Sequence, residues 1–230
     1  MTFQAFCLAF LCGFYNPAPV QTAYVTYNAN FYNQLDYSSQ AFSASYQYSA
    51  KSIDATAGFL VSENNFELAT DFSIYFINLE KFGAGFNGVY HFKTYDNTFN
   101  EHDIILGFDI FFKPVKWFKV NVKAGYLRPC SEIITLRKFG NEWICNNSVY
   151  LFCRTQFEPV ENLNIYLQAS NCELFRYMLF SSASFTLGAE YTFNFGLSLK
   201  SEVVSRFIDI ICLSARYDST DFRISAGYRW

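Results

Sequence analysis

The chain has 230 residues, of which 51% are hydrophobic and 21% aromatic but only 16% charged, against about 25% charged in an average soluble domain. Mean hydropathy is only +0.06, because uncharged polar residues dilute the apolar ones, and the net charge is −3 with a pI near 5.4. This much apolar surface excludes intrinsic disorder. The lack of an unbroken apolar window of about 18 residues excludes a helical membrane bundle, and an acidic chain without a Lys/Arg cluster argues against nucleic acid as a partner.

Residues 1–21 read as a secretory signal. Met1–Tyr15 carries an apolar run, Asn16-Pro17-Ala18-Pro19 breaks it, and no charged side chain precedes Asp36. The basic leader is missing, however, and cleavage after Ala23 would place Gln21 at the −3 position. The competing expectation is that Met1–Phe14 is a strand of a longer chain. The seven cysteines contain no Cys-x-x-Cys pair and are accompanied by only two histidines, so neither a zinc site nor any cofactor is expected. Cys130 and Cys145 share one long polar loop and can bridge in an oxidising compartment, while Cys153 and Cys212 read as small apolar residues.

From Thr22 onward the dominant period is two, which argues for strand and against helix. Thr22–Asn33 sets Ala23, Val25, Tyr27, Ala29 and Phe31 against Thr22, Thr26, Asn28 and Asn30. Ala41–Ala50, Asp54–Glu63, Phe66–Ile77, Phe82–Lys93, His102–Lys113 and Phe118–Leu127 continue the alternation, followed by Ser148–Phe157, Asn162–Ser170, Ser184–Phe193, Gly196–Val204 and Phe222–Trp230. Short turns alternate with mostly longer connections. Two short turns share the form Phe-x-Pro-Val-x-x-(Phe/Leu), at Phe112–Phe118 and Phe157–Leu163, with proline at a strand end where it removes no ladder bond. Ser205–Tyr217 breaks the count. It reads as an extension of the eleventh strand through a bulge, giving twelve strands, with a thirteenth strand or a short helix as alternatives. A strand at Met1–Phe14 would make fourteen possible, and the expected range is 10–14.

Alternation alone does not say whether the apolar face meets a core or lipid, and a soluble sandwich would show the same stripe. Four features favour lipid. Segments of about nine to twelve residues match a tilted membrane-spanning strand rather than the usual five or six. Charge is one-sided: Glu63 stands alone on the apolar face, whereas Asp54, Glu67, Asp71, Lys93, Asp103, Asp109, Lys113, Lys119, Lys123, Arg154, Glu190, Lys200, Glu202, Arg223 and Arg229 share the polar one. The remainder of that polar face is mostly Ser, Thr, Asn, Gln, Gly and Tyr, as an enclosed lumen would tolerate. Aromatic residues of the apolar face recur near strand ends, as membrane-interface girdles would. An apolar-faced sheet in lipid must close into a barrel.

Phe222-Arg-Ile-Ser-Ala-Gly-Tyr-Arg-Trp230 ends on an aromatic, with Phe222, Ile224, Ala226 and Tyr228 on one face and Gly227 near the end. This segment, with Phe222, Gly227, Tyr228 and Trp230 as its signature, resembles the terminal assembly signal of bacterial outer-membrane β-barrel proteins. The resemblance implies an all-β antiparallel transmembrane barrel over residues 22–230 in the outer membrane of a diderm bacterium. It also implies contact with the outer-membrane assembly machinery, short periplasmic turns, long external loops and periplasmic termini.

Inside such a barrel both signs of charge meet bulky rings. Tyr24, Tyr32, Tyr75, Tyr150, Tyr166, Phe111 and Phe152 point inward, so a narrow or occluded lumen is expected rather than an open porin. Candidate lining residues are Glu67, Asp71, Asp109, Lys119, Lys123, Arg154, Glu190 and Arg223, serving either as a solute path or as a structural ion-pair network. Enzyme chemistry finds little support: His91 and His102 have no neighbouring Ser in sequence, and Asp96, His102 and Asp103 read as a solvated loop rim. Arg128–Asn147 is the longest loop, with a hairpin tip expected at Phe139-Gly140-Asn141-Glu142. Asn171–Ser182 (NCELFRYMLFSS) is unusually apolar and can lie on lipid, fold into the lumen or grip a hydrophobic ligand. The leading expectation is a narrow channel for small solutes. The alternatives are a structural or surface-interaction barrel acting through its loops and, further behind, an outer-membrane hydrolase.

Overall fold

The computed structural model describes residues 19–32, 37–63, 65–95, 99–133, 143–174, 176–177, 182–210 and 215–230. In chain order the strands are β1 (Val20–Tyr32), β2 (Tyr37–Ala50), β3 (Ile53–Ser62), β4 (Asn65–Asn78), β5 (Phe82–Tyr95), β6 (Phe99–Val115), β7 (Phe118–Ile133), β8 (Trp143–Cys145), β9 (Ser148–Val160), β10 (Leu163–Ser170), β11 (Cys172–Glu173), β12 (Arg176–Tyr177), β13 (Ala183–Thr192), β14 (Leu197–Ile208) and β15 (Arg216–Arg229). Apart from the short pieces β8, β11 and β12, these make a closed antiparallel barrel of twelve strands. Neighbours in the chain are neighbours in the wall, and the ring is sealed where β1 pairs β15, from Thr22↔Arg229 to Tyr32↔Ser219.

Each segment read from alternation is a wall strand. Short turns share one end of the barrel with both ends of the wall, β1 entering and β15 leaving there. Two of these turns use left-handed backbone, at Asn162 (φ 68°) and Gly196 (φ 96°). The longer connections lie at the opposite end. The first 18 residues of the expected signal segment at 1–21, the loop tip at 139–142, most of the apolar run at 175–180 and Cys212 lie outside the described residues.

The solvent preference of the wall is inverted. Ile224 and Leu106 are 66% and 62% exposed on the outer face, whereas Asp109 and Arg206 are 1% exposed inside. A soluble sandwich would bury its apolar stripe, so this exterior is a surface for lipid. Aromatic pairs collect at both ends of the belt. Phe118–Phe157 (5.0 Å) and Tyr191–Phe193 (4.9 Å) lie at the turn end, and Phe31–Phe222 (5.8 Å) and Phe92–His102 (4.9 Å) at the loop end.

Two stretches differ from the alternation pattern. β14 extends through Ser205 to Ile208 with its bulge between Arg206 and Phe207, as the sequence suggests, but Arg216–Asp221 belongs to β15, which starts well before Phe222. β7 likewise runs to Ile133 and pairs with β8, where Cys130 and Cys145 are register partners joined by a disulfide with Cα atoms 4.1 Å apart. These extensions project beyond the lipid, where water meets both faces and alternation is no longer required. Their length is consistent with that. The 17 residues of β6 extend about 56 Å at roughly 3.3 Å each, whereas a strand tilted by about 45° needs only about 42 Å to cross hydrocarbon about 30 Å thick.

The lipid assignment predicts a depth-dependent penalty for outward charge. Leu106→Arg, mid-strand on β6, is expected to destabilise the barrel in bilayers by about 2–4 kcal/mol, and Phe112→Arg, near the turn end of the same strand, by about 0–1 kcal/mol. Reversible denaturant titration in vesicles measures both, and equal penalties would contradict a membrane-centred Leu106.

Candidate functional site

The inward positions enclose a polar cavity of about 1060 Å³ that runs nearly the height of the wall. Small side chains such as Ser43, Ser73 and Thr186 contribute to the lining and are buried. Large rings enter where a facing glycine makes room. A Cβ at Gly188 would collide with the Tyr166 ring, and one at Gly227 would lie 2.5 Å from Tyr24 Cδ1. Tyr24, Tyr75, Tyr150 and Tyr166 are buried as expected. The side chain of Tyr32 lies outside the described set.

Toward the loop end the charges form closed networks. On β4, β5 and β6, His91 sits between two carboxylates, with Nδ1 2.8 Å from Asp103 Oδ2 and Nε2 3.2 Å from Glu67 Oε2. Lys93 binds the other oxygen of Glu67 at 3.1 Å. One layer further in, Lys123 on β7 reaches Asp71 at 3.0 Å and Asp109 at 3.7 Å. Asp109 also accepts hydrogen bonds from Ser73 (2.6 Å) and Tyr75 (3.0 Å). Withdrawn from bulk water, these charges are grouped so that several partners surround each one.

The third network ties a loop into the lumen. After β10 the side-chain amide of Asn171 replaces the backbone, accepting from Leu151 N–H at 2.8 Å and donating to Val149 C=O at 2.6 Å. The chain is thereby released to turn inward. Cys172 packs with Val89, Ile105, Leu127 and Tyr150, an apolar patch on the inner wall, while Glu173 reaches toward β14 and β15. There Arg206 grips its carboxylate with two bonds, Nε at 2.7 Å and Nη2 at 2.9 Å, and Arg223 adds a third at 2.5 Å. Asp221 receives both guanidiniums as well, at 2.6 Å and 3.0 Å. Burial disfavours the Glu173 anion, but Arg206 and Arg223 outweigh burial and hold the carboxyl well below the ordinary carboxylate range. Residues 172–174 thus form a strap across the lumen, one of the placements open to this apolar loop.

At the turn end Lys119 lies over the Phe111 ring at 4.8 Å, and the Arg154 guanidinium stacks 3.7 Å from the Tyr166 centroid. Glu190 accepts a hydrogen bond from Tyr24 at 2.5 Å. Here a second cavity of about 270 Å³ shares Gln47, Arg154, Gln156 and Lys200 with the large one, so these four side chains form a neck.

All eight lining candidates therefore face the lumen: Glu67, Asp71, Asp109, Lys123 and Arg223 within networks, and Lys119, Arg154 and Glu190 around the neck. Sequence reasoning missed Glu173, Arg206 and Asp221 and gave His91 no role. Glu173 hides in an apolar loop, and Arg206 and Asp221 fall where alternation fails. His91 was visible on the polar face of its strand. As for nucleophilic chemistry, His91 is held by two carboxylates, and His102 faces outward with Nδ1 2.9 Å from the Tyr90 hydroxyl. Of the terminal signature, Phe222, Tyr228 and Trp230 are exposed, Gly227 lies beneath Tyr24, and Trp230 exchanges backbone hydrogen bonds with Gln21.

Closed wall, lipid-facing belt and charged lumen together define the fold of bacterial outer-membrane β-barrels. No protein-family model matches the chain, and no curated relative matches it. Solved structures do. The NanC porin is 7% identical with a TM-score of 0.57, covering 89% of this chain and 98% of that one. The translocator domain of the autotransporter NalP from Neisseria meningitidis is 10% identical with a TM-score of 0.55, covering 99% and 93%. The KdgM porin is 8% identical with a TM-score of 0.52, covering 89% and 98%. At such identities the shared property is the fold.

The arginine claw is expected to dominate the stability of the loop end. Arg206→Ala leaves Glu173 and Asp221 in the lumen with one guanidinium between them and is expected to cost about 3–5 kcal/mol. Denaturant midpoints of the folded band in heat-modifiable gel migration measure this, and a change under about 1 kcal/mol would show that the claw is not a buried unit.

Proposed function

We propose that the protein is an outer-membrane channel, a narrow passage for small polar solutes that the strap at residues 172–174 holds shut. One observation carries this reading. The large cavity is lined from Asn30, Glu101 and Pro129 at the loop end to Gln47, Asp54 and Gln156 at the turn end, and its lining is polar throughout most of that path. A barrel serving only as a scaffold has no need of such a path. The strap across the path favours small solutes over an open general porin. Among the similar barrels, NanC and KdgM are porins, which supports the reading at the level of fold.

Single-channel recording in planar bilayers tests it. The wild type is expected to show small, rare steps, and Glu173→Gln, which weakens the strap, to raise the mean open conductance several-fold. Inserted, folded protein that stays silent in both forms would overturn the channel and favour a structural barrel working through its loops.

Assembly belongs to the same proposal. Tyr228 and Trp230 are offered outward at the seam as the ligand of the assembly machinery. Trp230→Ala is expected to reduce the heat-modifiable folded form in cells while leaving refolding into detergent micelles unchanged. An equal loss in both settings would make Trp230 a packing residue rather than a signal.

A further inference from the structure

We propose that the neck at the turn end is a binding site for small anions, with carboxylates the natural class. This deepens the channel reading and rests on it for its biological use. The inference starts from an imbalance between the two ends of the lumen. Toward the loop end the cations are matched: Lys93 to Glu67, Lys123 to Asp71 and Asp109, and Arg206 and Arg223 to Glu173 and Asp221. At the neck two cations have no ion pair among the described residues. Lys119 and Arg154 make only ring contacts, and Arg154 Nε is buried without a hydrogen-bond partner.

The nearby carboxylates form no ion pair with either cation among the described residues, and their close partners are other groups. Glu202 accepts from the Tyr166 hydroxyl and pairs with Lys200 at 3.0 Å, Glu190 accepts from Tyr24, and Asp54 accepts from Ser49. The two free cations stand on adjacent strands, where Lys119↔Gln156 and Asn121↔Arg154 are register partners. Stacking on an aromatic face fixes the plane of a guanidinium and leaves its N–H edge free. A buried donor without a partner is unfavourable, and an anion held between Arg154 and Lys119 supplies the missing acceptor. The amides of Gln47 and Gln156 flank the same opening and supply neutral donors. Because Arg154, Gln47 and Gln156 line both cavities and Lys119 lines the large one, a solute crossing the barrel passes this site.

Bromide is the probe. Crystals of the detergent-purified barrel soaked in bromide are expected to show an anomalous peak in contact with Arg154 and Lys119. The Arg154→Gln, Lys119→Gln double variant, checked for folding by heat-modifiable migration, is expected to lose it. No peak there, or a peak that persists in the double variant, would overturn the site. In planar bilayers under a KCl gradient, the wild-type reversal potential is expected to lie toward chloride and the double variant's to move toward zero. A reversal potential that does not move would also overturn it. A bromide peak with silent bilayers would instead sink the channel and leave the anion site standing.

Discussion

Hydrocarbon offers a peptide group no hydrogen-bond partner, and the whole architecture answers that one constraint. A sheet with free edges cannot exist in lipid, so β1 and β15, the first and last wall strands, must meet in register from Thr22↔Arg229 to Tyr32↔Ser219. Gln21 and Trp230 extend the seam by exchanging backbone hydrogen bonds at 3.2 and 3.0 Å. Once the ring closes, side-chain period fixes the rest. A strand alternates between two faces, one face has only lipid to meet, and every charge must take the other. The exposed Leu106 and the buried Asp109 lie three positions apart on one strand and follow from the same closure.

Closure also decides what the inside can be. Opposite charges brought into a confined lumen lose much of their hydration, and a lone buried ion is far costlier than a surrounded one. The wall therefore gathers its charges into groups in which each ion has several partners, as with His91 between Glu67 and Asp103. The strap draws on the same economy. Glu173 is held in the lumen because Arg206 and Arg223 on the wall both bond it, alongside Asp221. Cys172 adds a modest apolar contact, and Asn171 satisfies the backbone of β9 so that the turn inward leaves no orphaned groups.

How far this was legible in sequence depended on where lipid imposes its rule. At membrane depth, alternation marks strand, face and register together, so Val25, Phe108 and Leu187 reveal their orientation without a structure. Beyond that depth nothing forces the two faces apart. Arg128–Ile133 and Arg216–Asp221 continue as paired strands, and their sequences carry no apolar period to betray it. The eight lumenal candidates were legible because they sit on alternating strands. Glu173 was not, because its partners Arg206 and Arg223 are 33 and 50 residues away and only closure of the wall brings them near. The cystine was half-legible: shared loop membership suggested Cys130 and Cys145, but their direct opposition depends on β7 outrunning the membrane and β8 returning beside it.

The strap contributes charge as well as bulk to the lumen. In the closed arrangement Arg206 and Arg223 are balanced by Glu173 and Asp221, two cations against two anions. Only Asp221 belongs to the wall, since Glu173 arrives on the strap. Without Glu173, Arg206 and Arg223 would share Asp221, so the strap completes their charge balance. The rest of the loop end needs no such supplement, because the wall there carries Glu67, Asp71, Asp103 and Asp109 beside His91, Lys93 and Lys123. At the neck, by contrast, Lys119 and Arg154 have no ion pair among the described residues. Placing a carboxylate on the strap therefore makes the packing of residues 172–174 and the neutrality of the arginine pair a single interaction.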